Sequence, residues 1–446
     1  MTTRHNSPVQ EENSIFDLLQ PPGGCFEGEI FFRSYADEPR LITRVTNSGN
    51  IAGLWDRLPR YLDGPHQGIS ANGAGTGLTH QDSLAPSRGE AIERYCASVY
   101  SADQFIQASA DELGSAALDL SLIPVCSSFE LSNPRCPLVL PNKKAPMRWV
   151  RGLSLITGKE IYLPVVMVYI YAGFASRDEK IALPITTGCA AHASYERALI
   201  SAILEVVERD AISITWLQSL TLPRIELDTI SPALADYWAA YQRCSRELEY
   251  VFFDATTDLG FPTVYGLQIS PQDPRLTTLV SCSAALDATE AVIKVIRDMA
   301  AIRIAFRPRR SAPENWEEFT EVFHGGTLMA EGKNLGAFDF LLQSAARRKL
   351  GLMTAAQARS GREDLETVLE RFREKKMDVL AVDLSTDEAI RHGLRAVRVV
   401  IPALQPLSFN YQARYLGHPR LYEAPRAMGY IAKAEDRLNQ WPGPFA

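Results

Sequence analysis

The sequence lacks the patterns that mark disulfide-rich proteins, zinc ribbons and zinc hydrolases. Its seven cysteines are odd in number and form no CxxC pair, so neither a disulfide framework nor a zinc ribbon is indicated. The seven histidines include no HExxH motif, which leaves no helical pair of zinc ligands. We therefore do not expect metal chemistry that depends on thiolate or imidazole ligands.

The sequence also lacks an excess of basic residues and a long apolar run. Its 46 Lys and Arg against 53 Asp and Glu give a formal net charge of −7, so no nucleic-acid partner is expected. The most apolar stretch, residues 161–175, contains Pro164 and is too short to cross a bilayer. Residues 1–13 are mostly polar and contain no apolar signal core. We expect no membrane partner and a cytoplasmic location.

Apolar residues recur with helical spacing in some segments and as short runs in others, which predicts a mixed α/β (α+β) protein. Helices are predicted over 83–101, 194–217, 288–306 and 362–376. Strands are predicted over 29–34, 41–45, 147–154, 161–170, 250–253, 263–269, 379–384 and 397–401. The glycine-rich residues 68–79 contain no Walker A lysine and are predicted to form a turn, with a phosphate-binding loop as the alternative. Residues 307–361 are expected to link other elements.

One five-residue pattern occurs twice, as Glu90-Ala-Ile-Glu93-Arg94 and as Glu205-Val-Val-Glu208-Arg209. Glutamates three residues apart lie on one face of a helix, with the arginine beside the first of them. Either copy alone is equally well explained as a solvated helix face, because Glu and Arg are common helix formers. Two copies in two amphipathic helices favour a shared site.

If the two helices converge, four carboxylates occupy one small volume, and like charges at close range disfavour ionisation. A hard divalent cation relieves this repulsion, and Mg²⁺ in particular is held by a few carboxylates together with nucleotide phosphates. The two arginines can contact phosphate oxygens through their planar donor groups. The pattern predicts a Mg²⁺–nucleotide site between two pseudo-repeated helices.

These segments resemble the YcaO superfamily. The Glu90 helix follows a glycine-rich segment, and TGCAAH leads into LEVVERDA; the sequences ITW, VRVVIPALQPL and ARYLGHPRLY follow. Together they are similar to the azoline-forming branch, the thiazole/oxazole-forming peptide maturases and streptolysin-type cyclodehydratase components. The resemblance implies a YcaO-type fold, with an N-terminal segment over 1–60 and a YcaO domain over 61–446 that ends in a proline-containing tail.

The resemblance implies an ATP-dependent cyclodehydratase that phosphorylates backbone amide oxygens of a ribosomally made precursor peptide. A Cys, Ser or Thr side chain of that peptide attacks the preceding carbonyl, which gives a thiazoline or oxazoline. The implied cofactors are ATP and Mg²⁺. The implied metal ligands are Glu90, Glu93, Glu205 and Glu208. The implied nucleotide contacts are Ser87, Arg94, Glu196, Arg209 and Arg303. Pro442 and Pro444 would belong to a tail that enters the active site, with a frayed terminus as the alternative.

The sequence departs from the family pattern at three positions. Thr76 stands where the family often has a lysine, and Ala193 and Arg197 stand where it often has Asn and Glu, so that Glu196 could substitute. These departures leave open a non-catalytic scaffold of the same fold. Formation of a thioamide or amidine on a peptide is the other alternative. The sequence does not specify the precursor peptide, the preference for Cys over Ser or Thr, or a later oxidation step.

The expected partners are the precursor peptide and a separate protein that binds its leader, related to ubiquitin-activating enzymes or similar. The reason is that about 60 residues before the YcaO domain are too few for a fused domain of that kind. A homodimer is also expected. His192 and Cys189 are predicted to be structural, and Tyr95 and Trp216 to belong to the core. We expect Glu205→Ala or Glu208→Ala to abolish phosphate release while the fold stays intact.

Overall fold

The computed structural model describes residues 25–35, 38–48, 71–242, 248–308, 310–353 and 361–445. The strands in these ranges are β1 Gly28–Arg33, β2 Ile42–Asn47, β3 Gly73–Gly77, β4 Phe105–Ala108, β5 Met147–Ser154, β6 Glu160–Pro164, β7 Cys189–His192, β8 Arg224–Glu226, β9 Glu249–Asp254, β10 Thr263–Ile269, β11 Thr278–Ala284, β12 Arg347–Lys349, β13 Leu380–Asp383 and β14 Arg395–Val400. The helices are α1 Leu84–Cys96, α2 Ala110–Leu113, α3 Ser128–Ser132, α4 Tyr195–Gln218, α5 Pro232–Gln242, α6 Ala288–Ala305, α7 Val322–Ala330, α8 Asp339–Leu342, α9 Gly361–Glu374, α10 Asp387–Arg391 and α11 Arg420–Ala427.

The strands of the described ranges form three sheets, so the predicted mixed α/β class is confirmed. The first sheet has the order β1-β2-β3, the second β11-β10-β9-β8-β12, and the third β4-β5-β13-β14-β7 with β6 paired to β5. All neighbours are antiparallel except β8 and β12. β2 pairs with β1 on one side and with β3 on the other, so strands from both sides of the predicted boundary at residue 60 share one sheet.

Helix α4 lies between the second and third sheets and packs on β14, β7 and β11. Its apolar residues surround most of the helix instead of one stripe, because both sides are covered: Leu199, Ile203 and Val207 are each at most 2% exposed. Burying each such side chain contributes about 1.5–3 kcal/mol. The Ser194 hydroxyl begins the helix by accepting a hydrogen bond from the Arg197 backbone N–H. Polar residues on α4 are consequently held in fixed positions.

Helix α1 packs on β3 of the first sheet and on β7 of the third. The glycine-rich residues 73–77 form β3 instead of the predicted turn, and residues 68–70 lie outside the described ranges. A Cβ on Gly73 would lie 2.1 Å from the Ser87 carbonyl oxygen, and one on Gly75 would lie 2.4 Å from that of Ser83. The glycines are therefore needed because this strand lies directly against the helix.

Several other sequence predictions need correction. The first predicted helix ends at Cys96 instead of 101. The strand predicted over 161–170 ends at Pro164 and continues as a 3₁₀ turn, where proline provides no N–H for further pairing. Strand β11 and helix α5 were not predicted, and the presumed linking region 307–361 contains α7, α8 and β12. In the described ranges, no helix is long and apolar enough to cross a membrane.

Candidate functional site

Helix α1 presents the first copy of the repeated pattern beside the edge of β3. The Ala74 backbone N–H donates to the Glu90 carboxylate at 2.6 Å, and Arg94 donates to the same carboxylate at 2.5 Å. Arg94 also donates to the Asn72 carbonyl oxygen at 2.5 Å. The strand edge and the arginine thus fix the position of Glu90, while the pair keeps about a third of each side chain exposed.

Helix α4 presents the second copy at a more enclosed place. Glu205 accepts hydrogen bonds from the Gly188 N–H at 3.0 Å and from Arg209 at 3.2 Å. Glu208 is 3% exposed and accepts from Lys294 at 3.3 Å and from the Ala284 N–H at 3.4 Å. These contacts hold the two carboxylates of α4 with the Arg209 guanidinium beside both.

The two copies meet at Glu93. Burial, then the nearby Glu205 carboxylate, then that of Glu90 raise the pKa of Glu93 well above its ordinary value, and Arg94 and Arg398 only partly oppose this. Within the described part of the chain, no hydrogen bond donor reaches the Glu93 carboxylate. The convergence of the two acidic faces that the sequence predicts is therefore present, and the raised pKa of Glu93 reflects its electrostatic cost.

Helix α6 supplies charged residues that the sequence analysis missed. Lys294 pairs with Glu208, and the Arg297 Nε donates to the Thr76 carbonyl oxygen at 2.7 Å. Burial raises the pKa of Asp298 to about 6, which Lys294 opposes and Glu208 reinforces. The available signal was three charges at i, i+3 and i+4, Lys294, Arg297 and Asp298, near the middle of an amphipathic helix. We define Glu90, Glu93, Glu205, Glu208 and Asp298 as the acidic cluster.

Three residues predicted to contact the nucleotide are instead hydrogen-bonded to other parts of the protein. Ser87 is fully buried and hydrogen-bonds Thr46 and the Leu84 carbonyl oxygen on the sheet side of α1. Glu196 precedes Glu205 by nine residues, which places it on the opposite face of α4; its carboxylate accepts from Ser194. Glu196 is therefore not brought to the cluster, whereas Ser87 lies one helical turn before Glu90 with its hydroxyl engaged by protein partners.

Arg303 is the third such residue. It follows Lys294 by nine residues on α6, which places the two on opposite faces of the helix. Its guanidinium is buried and donates to Gln268 at 2.6 Å and to the Leu276 carbonyl oxygen at 3.3 Å. Arg303 thus supports the turn between β10 and β11 instead of the cluster.

The positions that depart from the family pattern have other partners. The Thr76 hydroxyl lies 2.9 Å from that of Thr43, and Arg197 pairs with Asp364 at 3.0 Å. The carbonyl of residue 76 nevertheless contacts Arg297, so a cation is present beside this strand although the side chain at 76 is neutral.

The C-terminal tail, which we define as residues 441–445, packs against the protein core, so the frayed terminus considered from the sequence is wrong. Pro442 and Pro444 are buried, and the Trp216 indole donates to the Trp441 carbonyl oxygen at 3.0 Å. The Phe445 ring meets Tyr265 edge to face, with 5.4 Å between centroids. Tyr265 in turn neighbours Cys282, which lies beside Glu208 and Arg209. Tyr265 and Cys282 therefore lie between the end of the tail and two residues of the repeated pattern, Glu208 and Arg209.

His192 and Cys189 have structural environments, as expected. The His192 Nδ1 accepts from the Ser194 N–H at 2.8 Å, and burial, followed by Arg197, lowers the pKa of the ring. Burial raises the pKa of the Cys189 thiol to about 12, so the thiolate needed by a nucleophile is scarce at neutral pH. Trp216 is buried and Tyr95 packs partly buried against the core.

The donor set of the acidic cluster suits a hard cation. Its ligands are carboxylates only, which Mg²⁺ prefers over the nitrogen and sulfur ligands of zinc sites. Across the described ranges, no three His, Cys, Asp or Glu side chains gather closely enough to form a metal site by themselves. Each ion would therefore take one or two carboxylates from the protein, and Mg²⁺ commonly completes such a shell with water and phosphate oxygens.

Comparison with known families and proteins agrees with this geometry. A family model described as YcaO cyclodehydratase, ATP- and Mg²⁺-binding, matches residues 74–405. An uncharacterised protein of Methanothermobacter thermautotrophicus is 25% identical over 361 residues, covering 76% of this chain and 82% of the relative. An uncharacterised protein in the tfuA 3' region of Rhizobium leguminosarum bv. trifolii is 25% identical over 197 residues, 42% of this chain and 43% of the relative.

Solved structures share the fold at lower identity. A heterocyclase in complex with substrate and cofactor has a TM-score of 0.77 at 19% identity, and the match covers 97% of this chain but 56% of that one. YcaO from Methanopyrus kandleri bound with AMPPCP and Mg²⁺ has a TM-score of 0.61 at 17% identity and 85% and 86% coverage. A chain of the E. coli microcin synthetase McbBCD complex has a TM-score of 0.59 at 13% identity and 94% and 96% coverage. This chain thus spans little more than half the length of the first of these.

Proposed function

Since this chain belongs to the YcaO family of ATP- and Mg²⁺-binding cyclodehydratases, we propose that its acidic cluster binds Mg²⁺–ATP and that the protein forms azoline rings in a peptide. The observation that carries the proposal is the placement of Glu93 beside Glu205. Two carboxylates from distant helices share an enclosed volume without a hydrogen bond to Glu93 from the described residues. This arrangement is costly in the protein alone and is stabilised by a bound divalent cation.

Each charged residue has a proposed task. Glu90, Glu93, Glu205 and Glu208 would hold Mg²⁺, which neutralises the phosphate charge when bound. Arg94 and Arg209, each already paired to a glutamate, are placed to contact phosphate oxygens. Lys294 and Arg297 add positive charge from the third side of the cluster. Phosphoryl transfer needs such positioning and charge stabilisation more than a covalent group from the protein.

The proposed reaction consumes ATP as a substrate. The thiol or hydroxyl of a peptide Cys, Ser or Thr loses its proton and attacks the preceding carbonyl carbon, and the resulting oxyanion takes the γ-phosphoryl group to leave ADP. The attack has already closed the ring through a C–S or C–O bond; the amide nitrogen then loses its proton and phosphate departs, which forms the C=N bond of the azoline. The tail carrying Pro442 and Pro444 is proposed to contribute to the active site, since Phe445 lies near the cluster through Tyr265.

The comparisons also support proposals about partners. Structures with this fold include a heterocyclase in complex with substrate and a microcin synthetase complex with pro-MccB17 bound. We propose that this chain likewise acts on a precursor peptide together with a leader-binding partner protein. The homodimer, the cytoplasmic location and the division into segments 1–60 and 61–446 stay predictions.

Intact mass spectrometry tests the proposed reaction. A candidate precursor peptide incubated with the protein, its partner, ATP and Mg²⁺ should lose about 18 Da per modified Cys, Ser or Thr. The Glu205→Gln variant is the matched control and should leave the peptide mass unchanged. A gain in mass, as in thioamide formation, or an unchanged mass with no phosphate release, as for a scaffold, would contradict the proposal.

A further inference from the structure

A mainly apolar cleft of about 90 Å³ adjoins the acidic cluster. Its walls come from the segment before β5, the segment before β7, and the end of β14 with the loop after it. They include Ile123, Leu183, Ile185, Ile401 and Leu404. The cavity is smaller than the roughly 150 Å³ that accommodates benzene, so its volume suits one aliphatic side chain.

Two arginines, Arg209 and Arg398, are among the residues that line the cleft. Arg209 pairs with Glu205 and Glu208, and Arg398 on β14 interacts electrostatically with Glu93. Through these two arginines the cleft adjoins the place where we propose that phosphate is transferred.

Arg398 has an unused hydrogen-bond donor in this position. The residue is 7% exposed, and its Nη1 donates to the Ile185 carbonyl oxygen at 2.7 Å and to the Cys189 Sγ at 3.3 Å. Its Nε is buried and has no hydrogen-bond partner within the described ranges. A buried guanidinium N–H without an acceptor is costly, and a peptide carbonyl oxygen bound in the cleft that Arg398 lines would satisfy it.

The chemistry of the proposed reaction identifies which side chain would enter. The attacked carbonyl belongs to the residue that precedes the Cys, Ser or Thr, and the Cα of that residue is bonded directly to the reacting carbon. A cleft lined by Arg209 and Arg398, both of which interact with the glutamates of the cluster, is thus placed to receive the side chain of that preceding residue.

We propose that this cleft selects a peptide with an aliphatic residue immediately before the cyclised residue, with the Arg398 Nε donating to the peptide backbone. The inference rests on the proposed function for the identity of the reacting carbonyl. It names a substrate class, a peptide containing an aliphatic-Cys or aliphatic-Ser/Thr pair, and it makes Arg398 a positioning residue for the substrate.

The test uses blocked dipeptides of the form acetyl-Xaa-Cys-methylamide, in which Xaa is Gly, Ala, Leu or Phe. Their binding to the full chain in the presence of Mg²⁺ and AMPPCP is measured by ligand-observed NMR. We expect the Leu probe to bind at least about tenfold more tightly than the Gly probe, as an apolar pocket discriminates by side-chain size.

Three variants locate this preference in the cleft. Leu183→Trp should fill the cleft and remove the advantage of the Leu probe, and Leu183→Ala should enlarge it and shift the preference toward Phe. Leu140→Trp is the matched control, since Leu140 is 57% exposed and does not line the cleft; it should bind like the wild type. Equal binding of the Gly and Leu probes, or a preference that both Leu183 variants leave unchanged, would overturn the proposal.

Phosphate release from Mg²⁺–ATP, measured with the same probes, separates this inference from the proposed function. Selective binding that the Leu183 variants alter, but without phosphate release, would support the cleft and contradict the cyclodehydratase. Phosphate release that does not depend on Xaa or on the Leu183 variants would support the cyclodehydratase and contradict the cleft.

Discussion

At the scale of single residues, Glu93 shows how function and stability conflict in this protein. Its carboxyl is enclosed between Glu205 and Glu90, which raises its pKa well above the ordinary value of 4.5. Between that value and the raised pKa, the folded protein binds more protons at this site than the unfolded chain. The free energy of unfolding contributed by Glu93 therefore falls as the pH rises above about 4.5.

Glu93→Gln should remove this pH-dependent cost. Without ligands at pH 8, thermal unfolding of the variant should occur about 1–3 °C above that of the wild type, and the difference should shrink toward pH 5. Its ATP turnover should be lost. Glu249→Gln, which changes an exposed strand residue, should match the wild type at both pH values. If the variant is less stable than the wild type at pH 8, the ionised Glu93 carboxylate does not destabilise the folded protein and the account of its raised pKa is wrong.

Glu205 and Glu208 hold equivalent places in the repeated pattern, but their burial and their ion-pair partners differ. Glu208 is almost fully buried and pairs with Lys294, whose side chain is 48% exposed, so removing this carboxylate breaks an ion pair that solvent partly screens. Both alanine variants are therefore expected to keep the fold. Circular dichroism melts should show Glu208→Ala destabilised by about 1 kcal/mol and Glu205→Ala by less, while both lose phosphate release. Equal melting of the two variants would contradict this.

In the candidate site, the sequence predicts the residues of the twice-occurring glutamate pattern and few of the others. Glu90, Glu93, Glu205 and Glu208 are identifiable because one spacing occurs twice in amphipathic helices. Lys294 and Arg398 belong to no repeated pattern and lie on elements remote in sequence. Only the packing of α6 and β14 brings them to the cluster. The implied roles of Glu196 and Arg303 came from aligning this sequence with the family pattern. The structure places both residues on the helix face opposite the cluster.

At the scale of elements, apolar periodicity predicts the long helices α4, α6 and α9 and most central strands. Apolar periodicity does not predict a strand whose residues are small so that a helix can lie against it. Strand β3 consists of small residues because α1 lies against it, and glycine-rich sequence is otherwise typical of a turn. Strand β11 was missed although its seven residues are all buried.

The C-terminal tail gives a prediction at this scale. A Cβ on Gly325 of α7 would lie 2.1 Å from the Gly443 carbonyl oxygen, so Gly325→Ala should displace the tail while leaving the sheets unchanged. We expect faster limited proteolysis near residue 441 and at least about a tenfold loss of ATP turnover, since small misplacements near an active site are costly.

The matched control is Gly336→Ala, whose added Cβ meets no atom within 4 Å. This variant should retain both the protected tail and the activity. If Gly325→Ala releases the tail without loss of turnover, the proposed participation of the tail in the active site is wrong.

At the scale of the whole molecule, the three sheets together hold α1, α4 and α6 around the acidic cluster. The first sheet supports α1, and the second and third enclose α4. From the sequence, the fold class and the convergence of two helices were predictable. The order of strands was not, because antiparallel pairs such as β7 with β14 join residues about 200 positions apart, which local periodicity does not report.

The central claim is that the two glutamate pairs bind the nucleotide through Mg²⁺, and calorimetric titration with AMPPCP tests it most directly. The wild type should bind AMPPCP with Mg²⁺ and lose this binding in a chelator, while Glu205→Gln should bind at least about tenfold more weakly in the presence of Mg²⁺. Equal affinity with Mg²⁺ and with chelator, or an unchanged affinity in Glu205→Gln, would contradict the account.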